Sequence, residues 1–322
     1  MSLNAWNTAL ILISYGLAYL MPFELFIITY AILGPLHYLT EIPWLNRKGY
    51  FVQSSSQAWW FWILAIVATA VSLMHIVYGF AYVSFIALGS ALVMVLTSNT
   101  WRRLAGIAAV IVLSPVVSIM TFTEFLFGLY LTSLIHVLLF TWLFMFLGSL
   151  KEKKLSGFIA LGTLTVCALS FFFMPQQTNG YSVAPYFAAS AKAFGSIEIR
   201  LSNLLGWNND YGSFVAAMRL VAFAYTYHYL NWFSKTKIIQ WHKMSKRNLG
   251  IIAALYLGSM AIYAYDFRIG LNVLLFLSVA HVYLEFPLNW LSVKNIATEL
   301  TALRVRKSVV PQTMPVQSQD CA

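Results

Sequence analysis

The stretch QAWWFWILAIVATAVSLMHIVYGFAYVSFIALGSALVMVLTS, residues 57–98, runs for 42 positions without one Asp, Glu, Lys or Arg. A helix needs about 20 mostly apolar residues to cross the hydrocarbon core of a bilayer. The stretch therefore holds two crossings, 57–78 and 80–98, with a turn between them. Working outward, the same pattern recurs at 5–20, 22–44, 103–122, 124–149, 155–174, 212–234, 248–265 and 268–292. Pro22 and Glu24 divide the first long apolar run into two helices, because proline suits a helix start. The expected fold is an all-α, polytopic integral membrane protein with about ten transmembrane helices over residues 1–295. A cytoplasmic tail, 296–322, follows, and its end from about 308 has a disorder-like composition.

Composition points the same way. Hydrophobic residues make up 60% of the 322 positions and charged residues 9%, and the mean hydropathy is +0.75. A soluble domain is nearer half apolar and about one quarter charged. Two cysteines, Cys167 and Cys321, exclude a disulfide framework and a Cys-rich metal cluster. The first 20 residues lack a basic leader region and a clear cleavage site, and read as a retained helix.

The net charge of +10 invites a nucleic-acid reading, but its distribution is that of a topology signal. Arg47 and Lys48 follow the second predicted helix, Arg102 and Arg103 the fourth, and Lys151, Lys153 and Lys154 the sixth. Five more lie between Lys235 and Arg247, after the eighth, and four between Lys294 and Lys307, after the tenth. These are 16 of the 20 basic residues. Positive charge gathers on the cytoplasmic side, which places both termini in the cytoplasm and makes anionic lipid, not nucleic acid, the partner of these groups. The expected location is a bacterial cytoplasmic membrane. The connection 175–211 then lies outside, and its segment Ser190–Leu205 reads as a cap over the helix ends or as a helix in the interface.

Ionisable groups within a membrane are costly and mark function by default. His37, His136, His228 and His281 fall in predicted helices 2, 6, 8 and 10, which share one direction, and all four lie in the inner half of the bilayer. Two carry a glutamate four residues on, in HYLTEIP (37–43) and HVYLEFP (281–287). That spacing sets His37 over Glu41 and His281 over Glu285 on one helix face. Pro43 and Pro287 are expected to distort or end their helices. His228 sits in YTYHYLNW (225–232), and Thr132 and Ser133 lie one turn before His136. Neutral imidazole is a ligand for iron, zinc and copper. Carboxylates ligate too, or accept the other ring N–H. The set fits a four-histidine metal with outer carboxylates, or a two-metal site. His75, near an outer helix end, and His242, among loop lysines, stand apart, and Arg219 belongs to the outer half.

At these residues the chain resembles the Brp/Blh family of membrane β-carotene dioxygenases. The resemblance rests on GPLHYLTE (34–41), LIHVLL (134–139), TYHYLNWF (226–233) and AHVYLEF (280–286). It departs from the family where Trp232 replaces a second histidine and where glutamates replace aspartates. The resemblance implies a histidine-ligated non-haem iron, Fe2+, that activates O2 to oxidise a hydrophobic polyene, isoprenoid or lipid. His37, His136, His228 and His281 would hold the metal. Glu41 and Glu285 would orient imidazoles or complete a second metal. Tyr225, a catalytic candidate with the two glutamates, would line an apolar pocket with Tyr229 and Trp232, and the substrate would enter from the lipid. The alternative is a transporter of metal ions, protons or a small solute, since intramembrane His and Glu also serve as relays.

Overall fold

The computed structural model describes residues 3–309, apart from 77, 120–125, 174–177, 189, 191–205, 209 and 241–243. Among the described residues the chain is helical, with ten long helices: α1 (Leu3–Leu20), α2 (Pro22–Arg47), α3 (Ala58–Leu73), α4 (Gly79–Leu96), α5 (Thr100–Ile119), α6 (π-helical over Leu126–Phe140, then α-helical over Thr141–Glu152), α7 (Leu155–Phe173), α8 (Tyr211–Ser234), α9 (Lys246–Tyr265) and α10 (Phe267–Val309). Seven are long and apolar enough to cross a membrane: α2, α3, α4, α6, α7, α9 and α10. Their outward faces carry Ile63, Val166, Leu257 and Trp59, all exposed, as lipid contact requires.

The reversal at Pro22 occurs within one residue. Met21 leaves helical geometry and Pro22 opens α2. The two helices then run in opposite directions along α8. Asn7 accepts a hydrogen bond from Ser234 at one end of α8, while Tyr19 meets Arg219 nearer the other. On α2 the order is opposite, with Phe23 on Phe214 and Thr40 accepting from Trp232. The least hydropathic of these three, α8, is also the most enclosed. Most of its residues are buried beneath α1, α2, α6 and α7, so its Arg219, His228 and Asn231 meet protein rather than lipid.

Four expectations need correction. The third helix stops at Leu73 rather than 78, because His75 and Tyr78 adopt left-handed backbone that turns the chain into α4. Pro43 and Pro287 do not end their helices. α2 continues to Arg47 and α10 to Val309, since packed neighbours tolerate the lost backbone bond inside a bundle. The last helix therefore crosses the 295/296 boundary: its polar half, rich in Ala, Leu, Lys and Arg, keeps helical propensity beyond the apolar part. A fourth concerns Arg219, whose place in the outer half leaves a lipid headgroup or the interface as its expected partner: it is buried instead, donates to the Tyr19 carbonyl at 3.3 Å and stacks over the Tyr19 ring at 4.3 Å. The segment 191–205 and the tail 310–322 lie outside the described residues.

The start of α2 is clasped by the connection after α7. Tyr181 donates to Glu24 at 2.7 Å, the Ala184 amide donates to the other Glu24 oxygen at 2.8 Å, and Phe23 N–H donates to the Tyr181 hydroxyl at 3.3 Å. Burial, reinforced by Glu24, pushes the Tyr181 phenol up, so it remains a proton donor. Glu24→Gln keeps the shape but weakens both charge-assisted bonds. It is expected to cost about 1–3 kcal/mol, read as a lower melting temperature in detergent with metal content unchanged.

Candidate metal centre

The four histidines close into a ring. Imidazole centroids lie 4.7 Å apart for His37 and His228, 5.1 Å for His228 and His136, 5.1 Å for His136 and His281, and 5.3 Å for His281 and His37. The centre of a ring with such sides is about 3.5 Å from each imidazole, roughly a metal–nitrogen bond of about 2.1 Å plus the ring's own radius. All four side chains, with Glu41 and Glu285, are between 1% and 8% exposed. His37, His136 and His281 each offer a nitrogen within 4.8 Å of the others'. His228 Nε2 lies 3.1 Å from His37 Nε2.

The carboxylates approach without hydrogen bonding. Glu41 Oε2 is 3.0 Å from His37 Nε2, and Glu285 Oε2 is 3.1 Å from His136 Nδ1, yet neither oxygen has a hydrogen-bond partner. Both His136 nitrogens and His37 Nδ1 are also unpartnered. Two electron-pair donors held at this distance in a buried site are costly unless a proton or a metal cation lies between them. The donor set therefore fits a divalent metal of the kind histidine and carboxylate share.

Two rings are oriented from behind. His228 Nδ1 lies 2.8 Å from the buried Thr141 hydroxyl, and His281 Nδ1 lies 3.4 Å from the Leu277 carbonyl. With a proton on each Nδ1, both Nε2 atoms keep a lone pair, and that of His228 accepts a hydrogen bond from His37 Nε2 where no metal takes it. Thr141 opens the α-helical part of α6, directly after its π-helical segment. Thr141→Val is expected to weaken metal retention about tenfold, measured by competition with a chelator, without unfolding the protein.

Comparison with protein-family models, curated proteins and solved structures gives no match.

The aromatic candidates divide. Trp232 packs edge-on to His37 at 5.2 Å and to Trp44 at 5.4 Å, and donates to Thr40. Tyr229 lies 5.2 Å from His37 and 5.5 Å from His228. Tyr225 is a turn removed, against Phe26, Tyr30 and Tyr229. A Cβ at Gly34 would sit 3.2 Å from the Tyr229 hydroxyl, so glycine there lets the phenol lie against α2. His75 is exposed at a turn, and His242 lies outside the described residues.

A cavity of about 320 Å³ opens below the ring, from buried His37, His228, Glu41 and Glu285 to exposed Leu3 and Glu152 at the helix ends. Trp232 lines it, but Tyr225 and Tyr229 do not. The sequence reading missed Thr141 and gave Lys235 no part in the site, while Asn231 belongs to the quoted motif around His228. Lys235 stands one residue beyond α8, half-buried in the cavity wall. Burial lowers its ammonium to about 8 against the pull of Glu285 and Glu41, and it stays a cation at neutral pH. The turn it opens is pinned by Arg47, which donates to the Ile239 carbonyl at 2.9 Å. The only sequence signal for Lys235 was its spacing, seven residues after His228.

Proposed function

We propose that the protein is a membrane-embedded non-haem metalloenzyme, an iron-dependent oxygenase of an oxidisable lipid-type substrate: an isoprenoid, carotenoid or other lipid. The observation that carries this reading is the closed ring of four buried imidazoles flanked by two carboxylate oxygens without hydrogen-bond partners. Iron held there would supply one-electron chemistry with O2. His37, His136, His228 and His281 bind it through nitrogens, and Thr141 and the Leu277 carbonyl fix two of the rings. Glu41 and Glu285 offset the ion's charge, and each offers an oxygen that can take a proton. Trp44, Trp232 and Phe144 exclude water from the cavity beneath.

The resemblance to membrane β-carotene dioxygenases supports iron and O2 as the reactants. The cavity favours an enzyme over a transporter. Beyond the ring from the mouth, Phe26, Tyr225, Phe223 and Tyr227 pack the core around α8 among the described residues, and this packing supports an enclosed site over a path.

The topology proposed with this function has all ten long helices crossing the bilayer, both termini cytoplasmic and the membrane a bacterial cytoplasmic one. The parallel run of α2 and α8 and the basic residues following even-numbered helices support it. A reporter active only in the cytoplasm is expected to be active at either terminus, and silence at one would reject the even count.

The function is tested on iron-loaded protein in lipid nanodiscs. O2 consumption is expected on adding polyene, isoprenoid or fatty-acyl substrates, with oxygenated product by mass spectrometry, and none after iron is removed. Iron-replete protein that consumes no O2 with any of these classes rejects the oxygenase.

A further inference from the structure

We propose that the cavity below the imidazole ring takes an amphiphile with a singly charged oxyanion head, held by Lys235 at the helix-end mouth with its chain directed at the ring. This rests on the metalloenzyme reading and narrows its substrate class. It also replaces entry from the lipid with entry at the helix ends.

Three stripes of matched spacing line the cavity, beside residues of α1 and α6. α2 contributes His37, Glu41 and Trp44. α8 contributes His228 and Asn231, with Lys235 one residue past its end, and α10 contributes Glu285, Leu288 and Ser292. Residues three or four and then seven apart share one helix face. Seven residues are about 10 Å of helix, so a head at Lys235 places an atom about 10 Å along its chain at the ring. Between the two ends the wall is apolar, with Trp44, Trp232, Phe144, Met145 and Leu288.

Charge selects the head. Four neutral imidazoles, two carboxylates and one divalent ion sum to zero at the deep end. Glu152, exposed at the mouth, is offset by Lys154 at 4.0 Å, which leaves Lys235, with no ion pair among the described residues, as a surplus cation in a largely apolar cavity. An unpaired, partly desolvated ammonium favours an anionic occupant. A hydrocarbon would leave it unpaired, and a dianion would overcompensate. Asn231, 4% exposed with an unpartnered Oδ1, faces the same space between ring and mouth and offers the occupant a further polar contact.

The test uses full-length, iron-loaded protein in neutral phosphatidylcholine nanodiscs, with iron quantified in every sample. A medium-chain fatty acid, the matching fatty alcohol, the matching singly esterified alkyl phosphate and inorganic phosphate are titrated separately. Quenching of tryptophan fluorescence, to which Trp44 and Trp232 contribute, and thermal melting report occupancy. The fatty acid is expected to bind at least about tenfold more tightly than the alcohol, with inorganic phosphate far weaker than either. Lys235→Met should erase the preference and Lys235→Arg keep it, with iron content equal in all three proteins. An alkyl phosphate that outbinds the fatty acid identifies a phosphate head, provided Lys235→Met removes that preference too. Equal binding of acid and alcohol overturns the proposal, as does a preference that survives in Lys235→Met. Inorganic phosphate binding as tightly as the chain anions overturns the amphiphile. Iron present without anion preference rejects this inference alone, whereas anion preference in protein that will not hold iron rejects the metalloenzyme alone.

Discussion

Alanine at His37, His136, His228 or His281 is expected to strip the protein of metal, whereas His75→Ala leaves its content unchanged. Wild-type protein purified in mild detergent should carry near-stoichiometric iron by elemental mass spectrometry. Each ring member is one side of a closed set, so removing any one opens the set and leaves unpaired donors among the survivors. Changing an outer residue that merely supports a ligand costs about 10–100-fold in metal affinity, and loss of a ligand should exceed that. His75 is the matched control because it is exposed on a turn outside the ring. Well-folded wild type with no metal after iron is supplied would end the four-histidine reading. Loss in only one or two variants would reduce the ligand set to those positions.

Glu41→Gln and Glu285→Gln are expected to separate the metal-bound from the metal-free protein. With metal, each variant loses a negative oxygen that lies within 3.1 Å of a ring nitrogen, and retention should fall about 10–100-fold. Without metal, a buried carboxyl takes up a proton rather than stay charged, so the neutral amide of the same shape changes little and the metal-free variants should melt as wild type does. Melting curves with and without a chelator read both effects from one preparation. A carboxyl that only braced the fold would instead make both forms less stable.

These predictions draw unequally on sequence and structure. Apolar stretches such as 57–98 sufficed to locate ten helices, because a backbone in lipid must satisfy its own hydrogen bonds and does so as helix whatever its neighbours are. The same cost of burying ionisable groups singled out His37, His136, His228 and His281 with Glu41 and Glu285. Spacing along one helix is local, and it set the two His–Glu pairs on common faces. What spacing could not supply is which side chains meet between helices. Glu285 belongs with His281 by sequence, yet its oxygen lies against His136 on α6. Tyr225 shares a motif with His228, yet packs away from the ring, because three residues of helix displace it by nearly a turn. Thr141 meets His228 across 87 residues of chain, a contact between helices that apolar composition does not encode. Lys235 read as one topology signal among many until the approach of α1, α2, α6 and α10 enclosed it in a cavity wall. Sequence determined the helices and the depth of the charged groups, since both follow from transfer into lipid residue by residue. Tertiary structure decided the closed ring, the cavity and its mouth, since these depend on how helix faces distant in the chain are rotated against one another.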